Sequence, residues 1–444
     1  AEMYRYNNYQ YEVRFLRAYF YFNLVRQYGD VPFTDHVLST TEVNTLTRKP
    51  AQEVFDWIIK ECDEIKDLII PDYNNLGALV PSGESAETGR ANKRTVLALK
   101  ARTALYAASP LFNSHQEGSQ GYKELWYRAA KANKELIETC EDAGMRLIDD
   151  YENLWDAKSY SIAIDELIFG CRAIRATNSF EKYNFPVGLE NCRGGNCPTQ
   201  TLVDAYELKD SGERPDKKAD YDKNKPYYEG RDPRFEKTIA KNGDTKWPNW
   251  NETALETYQG GANAEPLSGG TPTGYYLKKY CQTSINTTTA KPTTDNHTWI
   301  IYRLGEFYLN YAEALFKYLG TAYATNNEFP IPANEMVSKT RRRTKVNMPK
   351  FPAGLDNKLW WEKYQNERMV ELAFEGHRFW DVRRWKEGDK HFSSIDAMKI
   401  YKSGDSYSYR RVTVNRQWDD KMYFFPIPQS EKAKNPNLTQ NPGW

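Results

Sequence analysis

The densest gathering of reactive side chains runs from Glu375 to Arg384, where Glu375, His377, Arg378, Asp381, Arg383 and Arg384 share one short segment. Acids, an imidazole and guanidinia are the materials of general acid–base chemistry. The segment follows a helical pattern directly, alternates with Phe374, Phe379, Trp380 and Trp385, and can pair within itself. A packed ion-pair network is therefore the favoured reading, since such networks also gather titratable groups. Arg231-Asp232-Pro233-Arg234-Phe235 reads as a helix start, with Asp as the cap and Pro in the first turn. Arg341-Arg342-Arg343 reads as a solvated helical face. There is no G-x-S-x-G elbow, no phosphate-binding glycine loop, no dinucleotide fingerprint and no H-E-x-x-H. Glycoside hydrolysis needs two carboxylates at a set separation, which linear spacing does not supply, and a hydrolase ranks low.

Metal chemistry is no better supported. Five histidines are scattered and the six cysteines contain no C-x-x-C pair, so neither a zinc site nor any other metal or cofactor is expected. Cys192 and Cys197 bracket Arg-Gly-Gly-Asn closely enough for a loop disulfide, but spacing leaves their pairing open.

Binding chemistry is more promising. Trp247-Pro248-Asn249-Trp250, Tyr258-Gln259-Gly260-Gly261 and Gly274-Tyr275-Tyr276 place rings in loops with little apolar company. A sugar lays its C–H face on indole or phenol and needs amides and guanidinia for its hydroxyls. The expectation is a platform of Trp247, Trp250, Tyr258 and Tyr275, with Tyr73, rimmed by Asn191 and Arg193; Asn249 and Asn263 are further polar candidates. The plain alternative is that these rings anchor a loop to the body. Trp299, just before an apolar run, is assigned to the core.

The elements that must position these residues are mostly helices. Apolar residues recur at helical spacing over 12–28 (Phe15, Leu16, Tyr19, Phe22 and Leu24 on one side), from Pro50 to Pro71, and over 92–109 and 122–140. The pattern returns over 304–319 and 359–375, with Gly376 as a stop. Between about 188 and 298 the chain is dense in Gly, Pro, Asn, Thr and Tyr, and only short segments can be argued. The fold class is mainly α: a tetratricopeptide-like stack of helical hairpins (1–187 and 301–444) carrying a loop-rich ligand-binding insertion (188–300). The closing FFPIPQSEKAKNPNLTQNPGW is extended, pinned by Phe424, Phe425, Ile427 and Trp444.

Composition fits this picture. The 444 residues hold 61 Lys and Arg against 60 Asp and Glu, so no basic field favours nucleic acid. Mean hydropathy is −0.81, and charges interrupt every apolar run before a membrane span is reached. Aromatic residues reach 14%, led by 32 tyrosines, a type suited to half-buried, ligand-facing surfaces.

Two stretches are more specific than composition. RFLRAYFYFNLVRQYGDVPF (14–33) and NERMVELAFEGHRFWDVRRWK (366–386) resemble signature segments of the SusD/RagB family of outer-membrane nutrient-binding lipoproteins. PTQTLVDAYELKDSG, RDPRF, YRLGEFYLNYAEAL and the closing segment are similar to that family in the same order. The resemblance implies four tetratricopeptide hairpins, a lipid anchor on an N-terminal cysteine absent from this chain, and surface exposure at the outer membrane. It also implies a SusC-like TonB-dependent transporter as partner, with a glycan or, less often, a peptide as ligand. The signature segments belong to the scaffold in such proteins, and no ligand-contacting residue is fixed by a motif. The loop Pro71–Gly89 contributes contacts in some relatives; here Tyr73 is its one aromatic. A further helical stretch that usually precedes the Arg14 segment is not in this sequence, so the first hairpin is expected to be incomplete.

Overall fold

A computed structural model describes residues 3–73, 89–172 and 175–444. Four long helices come first: α1 (Met3–Tyr28), α2 (Ala51–Ile65), α3 (Lys93–Ala108) and α4 (Gln120–Asp142). Strand β1 (Leu167–Arg172) then leads to the short helices α5 (Ser179–Asn184) and α6 (Arg234–Thr238). Strand β2 (Thr298–Arg303) leads back into α7 (Leu304–Leu319), α8 (Ala333–Arg341), α9 (Asn357–Glu371) and α10 (His377–Arg384). A long hairpin closes the series, β3 (Ser394–Ser403) and β4 (Ser406–Asn415).

Local chemistry explains the helices. Asn92 caps α3 by accepting the Thr95 N–H at 3.1 Å, and Ser119 caps α4 by accepting from Tyr122 at 3.3 Å. Ala98, Ala101, Ala104, Ala107 and Ala108 are all buried, so small side chains let α3 be approached from several sides. Helix α9 stops at Glu371, short of the expected Glu375, and Gly376 at φ +80° starts α10 instead. Helix α1 corrects its expected face. Phe15, Ala18, Phe22 and Val25 point inward, whereas Leu16 and Leu24 lie outside with Val13 and Phe20. The helix carries two apolar stripes, and only one meets α2.

Each helix from α1 to α4 packs chiefly on the next, and α7 lies against α4, so the stack resumes where it was interrupted. The interruption is bounded by an antiparallel pair: Leu167 faces Arg303 at one end of β1–β2 and Arg172 faces Thr298 at the other. The excursion therefore leaves and returns side by side. Its rings make small cores of their own, Phe185, Trp247, Leu255, Tyr276 and Cys281 in one, and Tyr206, Phe235 and Tyr275 with Val370, Met398 and Ile400 in another.

Beneath this neck lies a buried charge network. Arg303 donates to Glu166 at 2.9 Å, Glu371 at 2.8 Å and Glu375 at 2.8 Å. Arg343 reaches Glu166 and Glu371, and Arg234 reaches Asp232, Glu367 and Glu371, each at 2.6–3.0 Å. Lys279 reaches Glu375 at 2.7 Å. Burial opposes charge on Glu371, but Arg303, Arg343 and Arg234 outweigh it and hold its carboxyl well below the usual range. Burial also pulls the Lys279 ammonium down to about 8 despite Glu375.

The signature segment is thus structural: Glu375 serves this network, and Asp381 binds Arg368 and Arg384 at 2.7 and 2.9 Å. Asp232 caps α6 as expected, accepting the Arg234 N–H at 2.9 Å. The solvated face assigned to Arg341-Arg342-Arg343 is corrected. Arg342 alone faces water, while Arg341 and Arg343 turn toward the acids of α9, Arg341 pairing with Glu367 at 2.9 Å. In the tail, the Phe425 N–H donates to the Gln27 carbonyl and Phe424 packs on Gly29. Trp444 is exposed, yet its indole N–H donates to the Lys421 carbonyl at 2.9 Å.

Candidate functional site

The expected ring platform divides. Trp247 is 5% exposed and stands edge-on to Phe185, with ring centres 5.4 Å apart. Tyr275 is fully buried, its hydroxyl donating to Gln200 Oε1 at 2.5 Å. Tyr73 is 3% exposed and hydrogen-bonds Asn8 and Glu12. These three rings present no face to water, which corrects their assignment to a bare platform. The insertion's rings find apolar company in each other and in Val370, Met398 and Ile400, and Tyr73 finds polar partners on α1. Most of the Pro71–Gly89 loop, residues 74–88, lies outside the described residues.

Trp250 and Asn191 are brought to one segment, and Arg193 follows in the Asn191 loop. Trp250 is half-buried, and its indole N–H donates to the Ile285 carbonyl at 2.7 Å. Two residues on, the Thr287 carbonyl accepts from Asn191 Nδ2 at 2.8 Å. Both side chains thus clasp one extended segment, and Arg193 stands exposed two residues beyond Asn191. Asn263 is buried and serves the fold, donating to the Val187 carbonyl at 2.7 Å. Tyr258 sits apart from this wall, beside Tyr407 of β4 at 5.9 Å and under Lys402 at 5.1 Å.

One ring escaped the sequence reading. Tyr183 on α5 is 52% exposed and lies over Gly195. A Cβ on Gly195 would fall 2.2 Å from its ring, and one on Gly194 (φ +63°) 2.6 Å from the buried Tyr276 ring. The Gly-Gly pair is needed because two tyrosines close on it from opposite sides. That pair was the available signal, since adjacent glycines in a loop mark a close approach. The wall therefore offers an exposed phenol, an indole, an amide and a guanidinium on a fixed loop. Cys192 and Cys197 flank it as separate thiols, and no cluster of metal-ligating side chains gathers among the described residues. Nor is any helix among them long and apolar enough to cross a membrane.

The family model described as the SusD family matches residues 166–444, well over half of the sequence. The chain belongs to the SusD family. A second model, described as starch-binding and associating with the outer membrane, matches residues 2–105 of this SusD-family chain. The SusD-like protein P2 of Formosa agariphila is 24% identical across 97% of this chain and 73% of its own length. A solved SusD-like protein from Bacteroides fragilis is 27% identical, with a TM-score of 0.78, over all of this chain and 81% of that one. A SusD-like carbohydrate binding protein from the same organism has a TM-score of 0.75 at 24% identity, over 97% and 79% of the two chains. The mainly helical fold class and the SusD/RagB resemblance drawn from the signature segments both hold.

Proposed function

We propose that this SusD-family chain is a non-catalytic glycan-binding protein, lipid-anchored at the cell surface, that captures oligosaccharide for import through a SusC-like TonB-dependent transporter. The observation that carries the reading is the exposed Tyr183 ring held over Gly195, in the loop that also carries Asn191 and Arg193. A pyranose stacks on such a phenol while the Asn191 side-chain oxygen and the Arg193 guanidinium take its hydroxyls, both Asn191 N–H groups being given to Thr287 and Thr289. Trp247 and Tyr275 act from behind, by holding the loops in place. The starch-binding, outer-membrane description of the N-terminal family model supports the same reading. An open, wet wall of this kind binds at roughly micromolar to millimolar dissociation constants, which suffices for a polyvalent ligand at a crowded surface. Calorimetry against glycans chosen from an array tests it: Tyr183→Ala and Trp250→Ala weaken binding, and undiminished affinity in both removes the wall from the site. No turnover of the bound sugar is expected, and products would favour a hydrolase.

A peptide ligand is the second reading, favoured by one observation. Strand β4 pairs only with β3 and meets no further strand among the described residues; Asn224 takes the Arg411 N–H, and the rest of the edge is left for an extended peptide. Binding of peptides and of no glycan would select it.

A further inference from the structure

A cavity of about 50 Å³ lies where the start of α3 meets β1 and β2. Leu167 and Phe169 give it an apolar wall, and three guanidinia line it, Arg90, Arg94 and Arg172, against the single carboxylate of Asp72. Arg94 is paired with Asp72 at 2.9 Å and Arg90 with Glu12 at 2.5 Å. Arg172 is different. It is exposed, its guanidinium lies 4.1 Å from the centre of the Tyr160 ring, and no carboxylate pairs with it among the described residues. Stacking on a ring face orients the guanidinium and leaves its N–H donors free to point outward. With Arg94 matched by Asp72 and Arg90 by Glu12, Arg172 is the lining cation with no carboxylate partner among the described residues. A cavity of this size has room for a few waters or one small polar group. An oriented, unneutralised guanidinium beside a space of that size is the complement of a carboxylate or a sulfate.

We propose that this cavity is an acid-recognition subsite: Arg172, braced on Tyr160, takes the carboxylate of a uronic acid or the sulfate ester of a saccharide whose rings rest outside. The proposal rests on the glycan-binding reading and names its ligand class as an acidic glycan. The test is calorimetry on the full chain with three oligosaccharides of equal length, neutral, uronate-bearing and sulfated, at low and high salt. At least one acidic sugar should bind about tenfold or more tightly than the neutral one at low salt, which is about 1.4 kcal/mol. High salt should shrink that advantage. Arg172→Gln should abolish the advantage and leave neutral binding within about twofold, while Arg172→Lys keeps part of it, because charge remains but the fork is lost. Whichever acidic sugar binds more tightly identifies the acid group. Neutral sugar bound as tightly as both acidic ones, or an advantage untouched by Arg172→Gln, overturns the subsite and leaves the glycan reading standing. Binding of no sugar at all overturns both.

Discussion

The neck and the wall are built from the same kinds of residue and use them oppositely. At the neck, Arg234, Arg303 and Arg343 are sealed from water and share Glu371, so every guanidinium there is matched. On the wall, Arg193 is exposed in the Asn191 loop, and at the α3–β1 cavity Arg172 has a ring beneath it and no carboxylate partner among the described residues. Rings follow the same division, with Trp247 packed on Phe185 and Tyr183 turned outward. A charged or aromatic side chain already matched within the protein holds the fold. One left unmatched at the surface is available to a ligand.

That contrast can be broken first at the neck. Glu371→Ala leaves three buried guanidinia short of a partner and should cost about 3–5 kcal/mol of unfolding free energy, read by chemical denaturation. A loss under about 1 kcal/mol would mean that the network contributes little. Trp247→Ala should cost about 3 kcal/mol by emptying a core site, whereas Trp250→Ala, half-buried, should stay within about 1 kcal/mol. Equal losses would erase the distinction between the two tryptophans. Acid is a gentler cut at the neck. Glu371, Glu375 and Asp381 all titrate below their ordinary values in the fold. Their stabilisation is complete above about 4.5, the ordinary glutamate value, and is lost as pH falls through the folded values. A pH series of denaturation midpoints should slope downward below that point, and less steeply in Glu371→Gln. The smallest effect belongs to the wall: Tyr183→Ala should leave the melting temperature nearly unchanged and weaken oligosaccharide binding several-fold, about 1 kcal/mol.

Much of the scaffold was legible from residues alone. Helices α2 and α4 announce themselves through a 3.6-residue period that matches their buried faces, whereas α3 and α7, buried on nearly every side, are marked by a run of small or apolar residues. Helix α1 did not give its orientation, because it is apolar on two sides and only the packing of α2 chooses between them. The β3–β4 hairpin went unrecognised, since Ser-Tyr-Ser-Tyr-Arg-Arg-Val-Thr-Val is mostly exposed and offers only weak alternation. Arg341 and Arg343 were misplaced because their acidic partners stand far away in sequence, Glu166 being the extreme case. On the wall, residue type singled out Trp250 and Asn191, which the structure ties to one segment at Ile285 and Thr287. It overstated the exposure of Trp247 and Tyr275, whose cover comes from Phe185 and from Phe235's cluster, at distances a linear reading does not contain.

Because β1 and β2 run side by side, everything between them behaves like a cartridge in a socket. A chimera that swaps the cartridge between relatives must bring its own equivalents of Arg234 and Lys279 to plug into Glu367, Glu371 and Glu375, and apolar side chains that pack on Val370, Met398 and Ile400. An exchanged piece stays seated only if both the charged and the apolar halves of that seam travel with it.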